Sequence, residues 1–103
     1  MKVVWAPLAE VRVAEAFAFI AADRPAAAAN WLDRVLNRIA QLARFPDSGH
    51  VVRELGRPEI REVPVRPYRV IYRRDPARVI VLTVRHMRQD WDPREISEAS
   101  ESI

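Results

Sequence analysis

The chain has 103 residues, half of them apolar and 30% charged, with two glycines and no cysteine. That size and composition suit one small folded domain, leave no room for a second, and exclude disulfides, thiolate nucleophiles and cysteine metal sites. The net charge of +3 is uneven: residues 1–52 carry +1, residues 53–88 carry +6 from ten arginines, and residues 89–103 carry −4.

The cationic second half predicts either an anionic partner (nucleic acid, ribosome or an acidic protein segment) or a solvated arginine-rich surface. No apolar run reaches the roughly 18–20 residues of a membrane span, and the N-terminus lacks the apolar stretch of a signal peptide. A cytoplasmic protein without membrane contact is expected.

Lys2 to Trp5 reads as a short first strand. From Pro7 to about Ala22 there is no internal proline or glycine, and Pro7 suits a first helical turn, where its missing N–H costs nothing. At 100° per residue Ala9, Val13, Ala16, Phe17 and Ile20 share one face, while Leu8, Val11 and Phe19 lie off it. Pro25 opens a second helix whose Ala28, Trp31, Leu32, Val35, Leu36, Ile39 and Leu42 recur at three and four residues, opposite a polar arc. Phe45 before Pro46 ends it, because a residue preceding proline is pushed out of the α region. The short link between the two helices predicts an antiparallel hairpin.

After the turn at Pro46 to Gly49 the period changes from 3.6 to 2. Strands are predicted at about Ile60 to Val65, Tyr68 to Arg73 and Arg78 to Arg85, with a weaker one at Gly49 to Arg53 and a turn at Arg74 to Ala77. In the second of these, Tyr68, Val70 and Tyr72 alternate with Arg69, Ile71 and Arg73, so one side faces the helices and the other is open to a ligand. The unbroken run Val79 to Val84 predicts a strand that is central or covered on both faces. The fold class is α+β: a short N-terminal strand and an antiparallel helical hairpin packed on a small, mostly antiparallel sheet. Residues 1–91 form the domain. Residues 92–103 are an acidic tail, expected to be disordered or weakly helical and given no role.

His50 and His86 are 36 residues apart in no ligand spacing, so no metal or cofactor is expected, and no phosphate-cradling or serine-hydrolase motif is present. The remaining polar set is Arg69, Tyr72, Arg73, Arg85, His86 and Arg88, with Glu54 a possible neighbour. Metal-free RNA cleavage requires a base, an acid and fixed cations. His86 with several arginines meets that list on paper, against the plainer reading of solvated strand arginines and a structural histidine.

Seven pieces in order resemble the RelE/ParE family of bacterial type II toxins over roughly residues 3–91. They are Trp5-Ala6-Pro7-x-Ala9, Phe19-Ile20-Ala21, Pro25-x-Ala27-Ala28, Phe45-Pro46-x-x-Gly49, Arg61-Glu62, Tyr68-Arg69-Val70-Ile71-Tyr72 and Val84-Arg85-His86-x-Arg88-Gln89-Asp90. The resemblance implies a toxin neutralised by a cognate ParD-like antitoxin whose C-terminal segment wraps over it. It also implies one of two activities: ribosome-dependent mRNA cleavage, as in the RelE-like branch, or poisoning of DNA gyrase, as in the ParE-like branch. An inactive family member is the third reading. Arg69 matches an arginine used by the ribonucleases, which with Arg85 and His86 would form the catalytic set, although many gyrase poisons have arginine there too. No lysine follows Lys2 and no tyrosine follows Tyr72, whereas the RelE-like pattern expects both. The ending from Val84 to Trp91 is similar to the ParE-like one, except that Gln89 replaces a second arginine. The ParE-like branch is therefore favoured, with no catalytic residue in this chain. Arg85, Arg88 and Trp91 are the expected target contacts. The apolar residues left off the first helix's core face, Leu8, Val11 and Phe19, are expected with Arg12 to bind the antitoxin.

Overall fold

In the computed structural model, residues 1–90 and 92–101 are described. The order is β1 (Lys2–Trp5), α1 (Pro7–Ala21), α2 (Pro25–Leu42), β2 (His50–Val51), a 3-10 turn (Arg53–Leu55), β3 (Ile60–Val65), β4 (Tyr68–Arg74), β5 (Arg78–His86) and α3 (Pro93–Glu101). Pro7 and Pro25 open their helices with no side-chain cap hydrogen bond at Ala6 or Arg24. The fixed φ of proline at the first helical position does the pre-ordering that a capping side chain otherwise does.

The five strands form one sheet in the order β1-β5-β4-β3-β2. β1 runs parallel to β5, with Lys2 opposite Arg78 and Trp5 opposite Val81, and the other pairs are antiparallel. The fold is thus the expected α+β arrangement. β5 is an interior strand covered on both faces, as anticipated from its apolar run: Val79 to Val84 are all buried.

β1 stops at Val81, where the Ala6 N–H donates to the Val81 carbonyl at 2.8 Å. Just beyond, Leu82 is an extra residue in the β4–β5 ladder, since Ile71 opposes Thr83 while Tyr72 opposes Val81. A bulge of this kind re-aims the residues around it. Leu82 lies in the same apolar cluster as Ile71, and Thr83, opposite Ile71, shares that side of the sheet.

The sheet is covered on both faces. On one, α1 and α2 contribute Ala9, Val13, Ala16, Trp31, Val35, Ile39 and Leu42 to a core with Val63, Val70, Tyr72, Val79 and Val81. Trp31 anchors this core, its indole N–H donating to the Val65 carbonyl at 3.0 Å and its ring 5.2 Å from that of Tyr68. On the other face, Ile71, Ile80 and Leu82 pack against Ile96 and Ala99 of α3.

Several expectations change. The acidic tail is a helix seated on the sheet, because Ile96 and Ala99 recur on one side of it and bury completely or nearly so. The face of β4 expected to be open is therefore occupied over Ile71. The weak strand at Gly49 to Arg53 shrinks to His50–Val51, and Arg53–Leu55 turns, closed by Gly56 at φ 61°, a left-handed conformation that favours glycine. Leu36 is 48% exposed rather than in the core. No helix among the described residues is long and apolar enough to cross a membrane.

Candidate functional site

The strand ends carry their cationic side chains on two opposed faces. Tyr68 opposes His86 and Arg69 opposes Arg85 across the β4–β5 ladder. Because side chains alternate along a strand, Tyr68 and His86 look toward the helix pair, and Arg69 and Arg85 toward the face that carries α3. The Tyr68 and His86 rings meet edge to face at 5.1 Å. Burial pushes the Tyr68 phenol above its ordinary pKa, so it stays neutral.

The chain leaves β5 through a closed turn. The His86 N–H donates to Gln89 Oε1 at 2.9 Å, and the Gln89 N–H donates back to the His86 carbonyl at 3.0 Å. The Arg88 N–H donates to His86 Nδ1 at 3.1 Å, which in a neutral imidazole puts the ring proton on Nε2. Gln89, the departure from the family ending, thus accepts a hydrogen bond that no arginine side chain could accept. Arg88 itself is exposed. Trp91 lies outside the described residues.

The remaining arginines are tied within the chain. Arg69 donates to the Glu62 carboxylate at 3.3 Å, and Arg73 to Asp75 at 2.9 Å and to the Ser100 carbonyl at 3.0 Å. Arg85 donates to the Glu95 carboxylate and, at 2.6 Å, to the Asp90 carbonyl. Arg12 on α1 reaches the same Glu95 at 2.7 Å and Glu15 at 2.9 Å. The Glu95 hydrogen bond is the main reason its guanidinium pKa is held above the ordinary value.

Tyr72 does not join this set. It sits on the helix-pair face, fully buried, its hydroxyl donating to the Pro46 carbonyl at 2.7 Å and accepting from the Gly49 N–H at 3.0 Å. Glu54 is exposed in the turn after β2, at the opposite edge of the sheet from β5.

A cavity of about 540 Å³ opens where β5 outruns β1, lined by Arg12, Glu15, Phe19, Tyr68, Arg85 and His86 among others. Arg85 and His86 therefore share one cavity although they leave β5 on different faces, while Arg69 is not among its lining residues. Phe19 is 74% exposed and Val11 50% exposed, whereas Leu8 is half-buried against the second core, beside Ala6 and α3. A second, apolar groove of about 520 Å³ lies between β1 and the helices, lined by Trp5, Glu10, Val13, Ala14, Phe17 and Leu32. Helical periodicity assigned Phe17 and Leu32 to the core; only the sheet's outline, ending at β1, leaves them at a rim.

Among the described residues no group of three or more His, Asp or Glu side chains could hold a metal ion. A family model described as the ParE toxin of the type II toxin–antitoxin system parDE matches residues 3–91. A comparison with curated proteins finds no match.

Proposed function

The chain belongs to the ParE toxin family of type II toxin–antitoxin systems, which implies a cognate antitoxin, and from that premise we propose that it inhibits DNA gyrase by binding it. The observation that carries this reading is the hydrogen bond at His86. Its Nδ1 accepts the Arg88 N–H, which engages the lone pair that would take a proton from a ribose hydroxyl. The separation of Arg69 from His86 on opposed faces supports the same reading.

Under it, Arg85 and Arg88, with Trp91, contact the target, and the chemistry belongs to gyrase. Such a toxin acts by binding one state of its target more tightly than the others. The antitoxin, ParD-like, covers Val11 and Phe19 on α1, with its acidic residues answering Arg12. Growth inhibition and maintenance of the encoding plasmid follow from such a pair.

Ribosome-dependent mRNA cleavage is the second reading, favoured by the shared cavity of Arg85 and His86. Supercoiling by purified gyrase, with the wild-type toxin and with the Arg85→Ala and Arg88→Ala variants, separates the two. Linear, gyrase-linked DNA that both substitutions diminish is the expected result. Normal supercoiling together with cleaved mRNA on ribosomes would favour the nuclease, and normal results in both assays an inactive member.

A further inference from the structure

The C-terminal helix is where the chain's charge asymmetry becomes structure. α3 belongs to the segment carrying −4, and it lies on strands β4 and β5, which belong to the segment carrying +6. Its Glu95 carboxylate, 8% exposed, bridges Arg12 from α1 and Arg85 from β5; at the far end the Ser100 carbonyl receives Arg73 from β4. Between these ends Ile96 and Ala99 sit on Ile71, Ile80 and Leu82. One nine-residue helix thereby occupies arginines from three separate elements.

The fit beneath it is incomplete. Thr83 is fully buried on the α3 side of the sheet, yet its hydroxyl has no hydrogen-bond partner among the described residues, and neither has Arg85 Nε. Buried polar groups left in that state cost free energy, which works against the closed arrangement. The helix is also short, and an isolated helix of its length does not persist in water. Its order depends on the contacts it makes with the sheet.

We propose that α3 is an autoinhibitory strap: closed, it withholds Arg12, Arg85 and Arg73 from anionic partners by supplying its own carboxylate and carbonyl to them, and it opens without unfolding the rest of the domain. Nothing in this depends on whether the target is gyrase or the ribosome.

Inorganic polyphosphate serves as the anionic probe, and backbone hydrogen exchange of residues 93–101 reports opening, both on the full chain. Ile96→Ala loosens the strap without altering net charge, so any gain in polyphosphate affinity reports uncovering rather than charge. Exchange of the α3 amides should accelerate by about thirtyfold, the factor matching loss of a buried isoleucine side chain, and polyphosphate should bind about tenfold more tightly as the open fraction rises. Glu95→Gln should do the same, and should exceed its charge-matched control at the exposed Glu98, Glu98→Gln, by about fivefold in affinity. Circular dichroism checks that the variants remain folded, and the glutamine pair keeps the test decisive if Ile96→Ala does not. Polyphosphate affinity equal to wild type in folded Ile96→Ala would overturn the proposal, as would equal behaviour of the two glutamine variants.

Discussion

Tyr72 shows how one side chain converts a sequence motif into a constraint. Its hydroxyl joins the loop from Pro46 to Gly49 to the centre of the sheet. A Cβ added at Gly49 would lie 2.6 Å from that hydroxyl and 2.8 Å from the Glu62 carbonyl, so the glycine is required by close approach rather than by backbone angle. Burial pushes the Tyr72 phenol above its ordinary value of 10.0, although the Gly49 hydrogen bond opposes the shift. Between those two values the folded chain holds a proton that the unfolded chain has released. Stability from this source is therefore complete below about pH 10 and is lost as pH rises through the folded value. Tyr72→Phe should cost about 1–3 kcal/mol at pH 7 by leaving the Gly49 N–H without its acceptor. It should also flatten the fall in melting temperature between pH 9 and pH 11. A variant melting like wild type at pH 7 would deny the phenol its structural role. The motif Phe45-Pro46-x-x-Gly49 was legible in the sequence. Its partner was not, because Tyr72 lies 23 residues from Gly49 and reads on periodicity as an ordinary strand residue.

The elements divide by how local their causes are. α1 and α2 were legible from proline punctuation and a 3.6-residue period, and β3, β4 and β5 from alternation and apolar runs, because those signals lie within the element. α3 was not legible, since its two buried apolar residues, Ile96 and Ala99, sit among acidic ones in a short segment whose order comes from contact with Ile71, Ile80 and Leu82. The same distinction applies to the candidate antitoxin surface. α1 fills the first core with Ala9, Val13 and Ala16, leaving Phe19 exposed at the rim of the cavity and Val11 exposed elsewhere on the helix, while Leu8 is drawn under by the second core. Because the Phe19 ring is 74% exposed, Phe19→Asp should leave melting temperature within about 2 °C of wild type. It should weaken antitoxin binding by about thirtyfold or more, as removal of an interface anchor does. Titration calorimetry with the purified antitoxin measures this, and unchanged affinity would move the antitoxin to another face, the groove at Trp5, Phe17 and Leu32 being the alternative.

The domain as a whole rests on the core between the helix pair and the sheet, with the α3 face as a smaller second layer. Ile39, 4% exposed on α2, belongs to the first. Ile39→Ala should cost about 2–5 kcal/mol, a large share of the roughly 5–15 kcal/mol available to a domain of this kind. Near- and far-ultraviolet circular dichroism should shift together on urea titration, since the helices have no core apart from the sheet. Separate transitions would show that the helical hairpin holds together by itself. The candidate site was only partly legible for a reason that belongs to the whole fold. The residues Arg69, Arg85 and His86 could be named from their positions near strand ends. Which face each would occupy depends on the β4–β5 register, and the carboxylates that hold Arg69 and Arg85 come from β3 and from a helix placed last.

The parallel pairing of β1 with β5 also has a bearing on synthesis. The first strand made can dock only after the last strand is complete, and 76 residues separate Lys2 from its opposite number, Arg78. At about 5–20 residues per second that interval lasts roughly 4–15 s on the ribosome. For the last 36 residues of it, from Leu42 to Arg78 or roughly 2–7 s, the nascent helical hairpin presents Trp31, Val35, Ile39 and Leu42 before the sheet that receives them is complete. The growing chain therefore passes through an aggregation-prone stage before its fold, and any surface it offers a target, is complete.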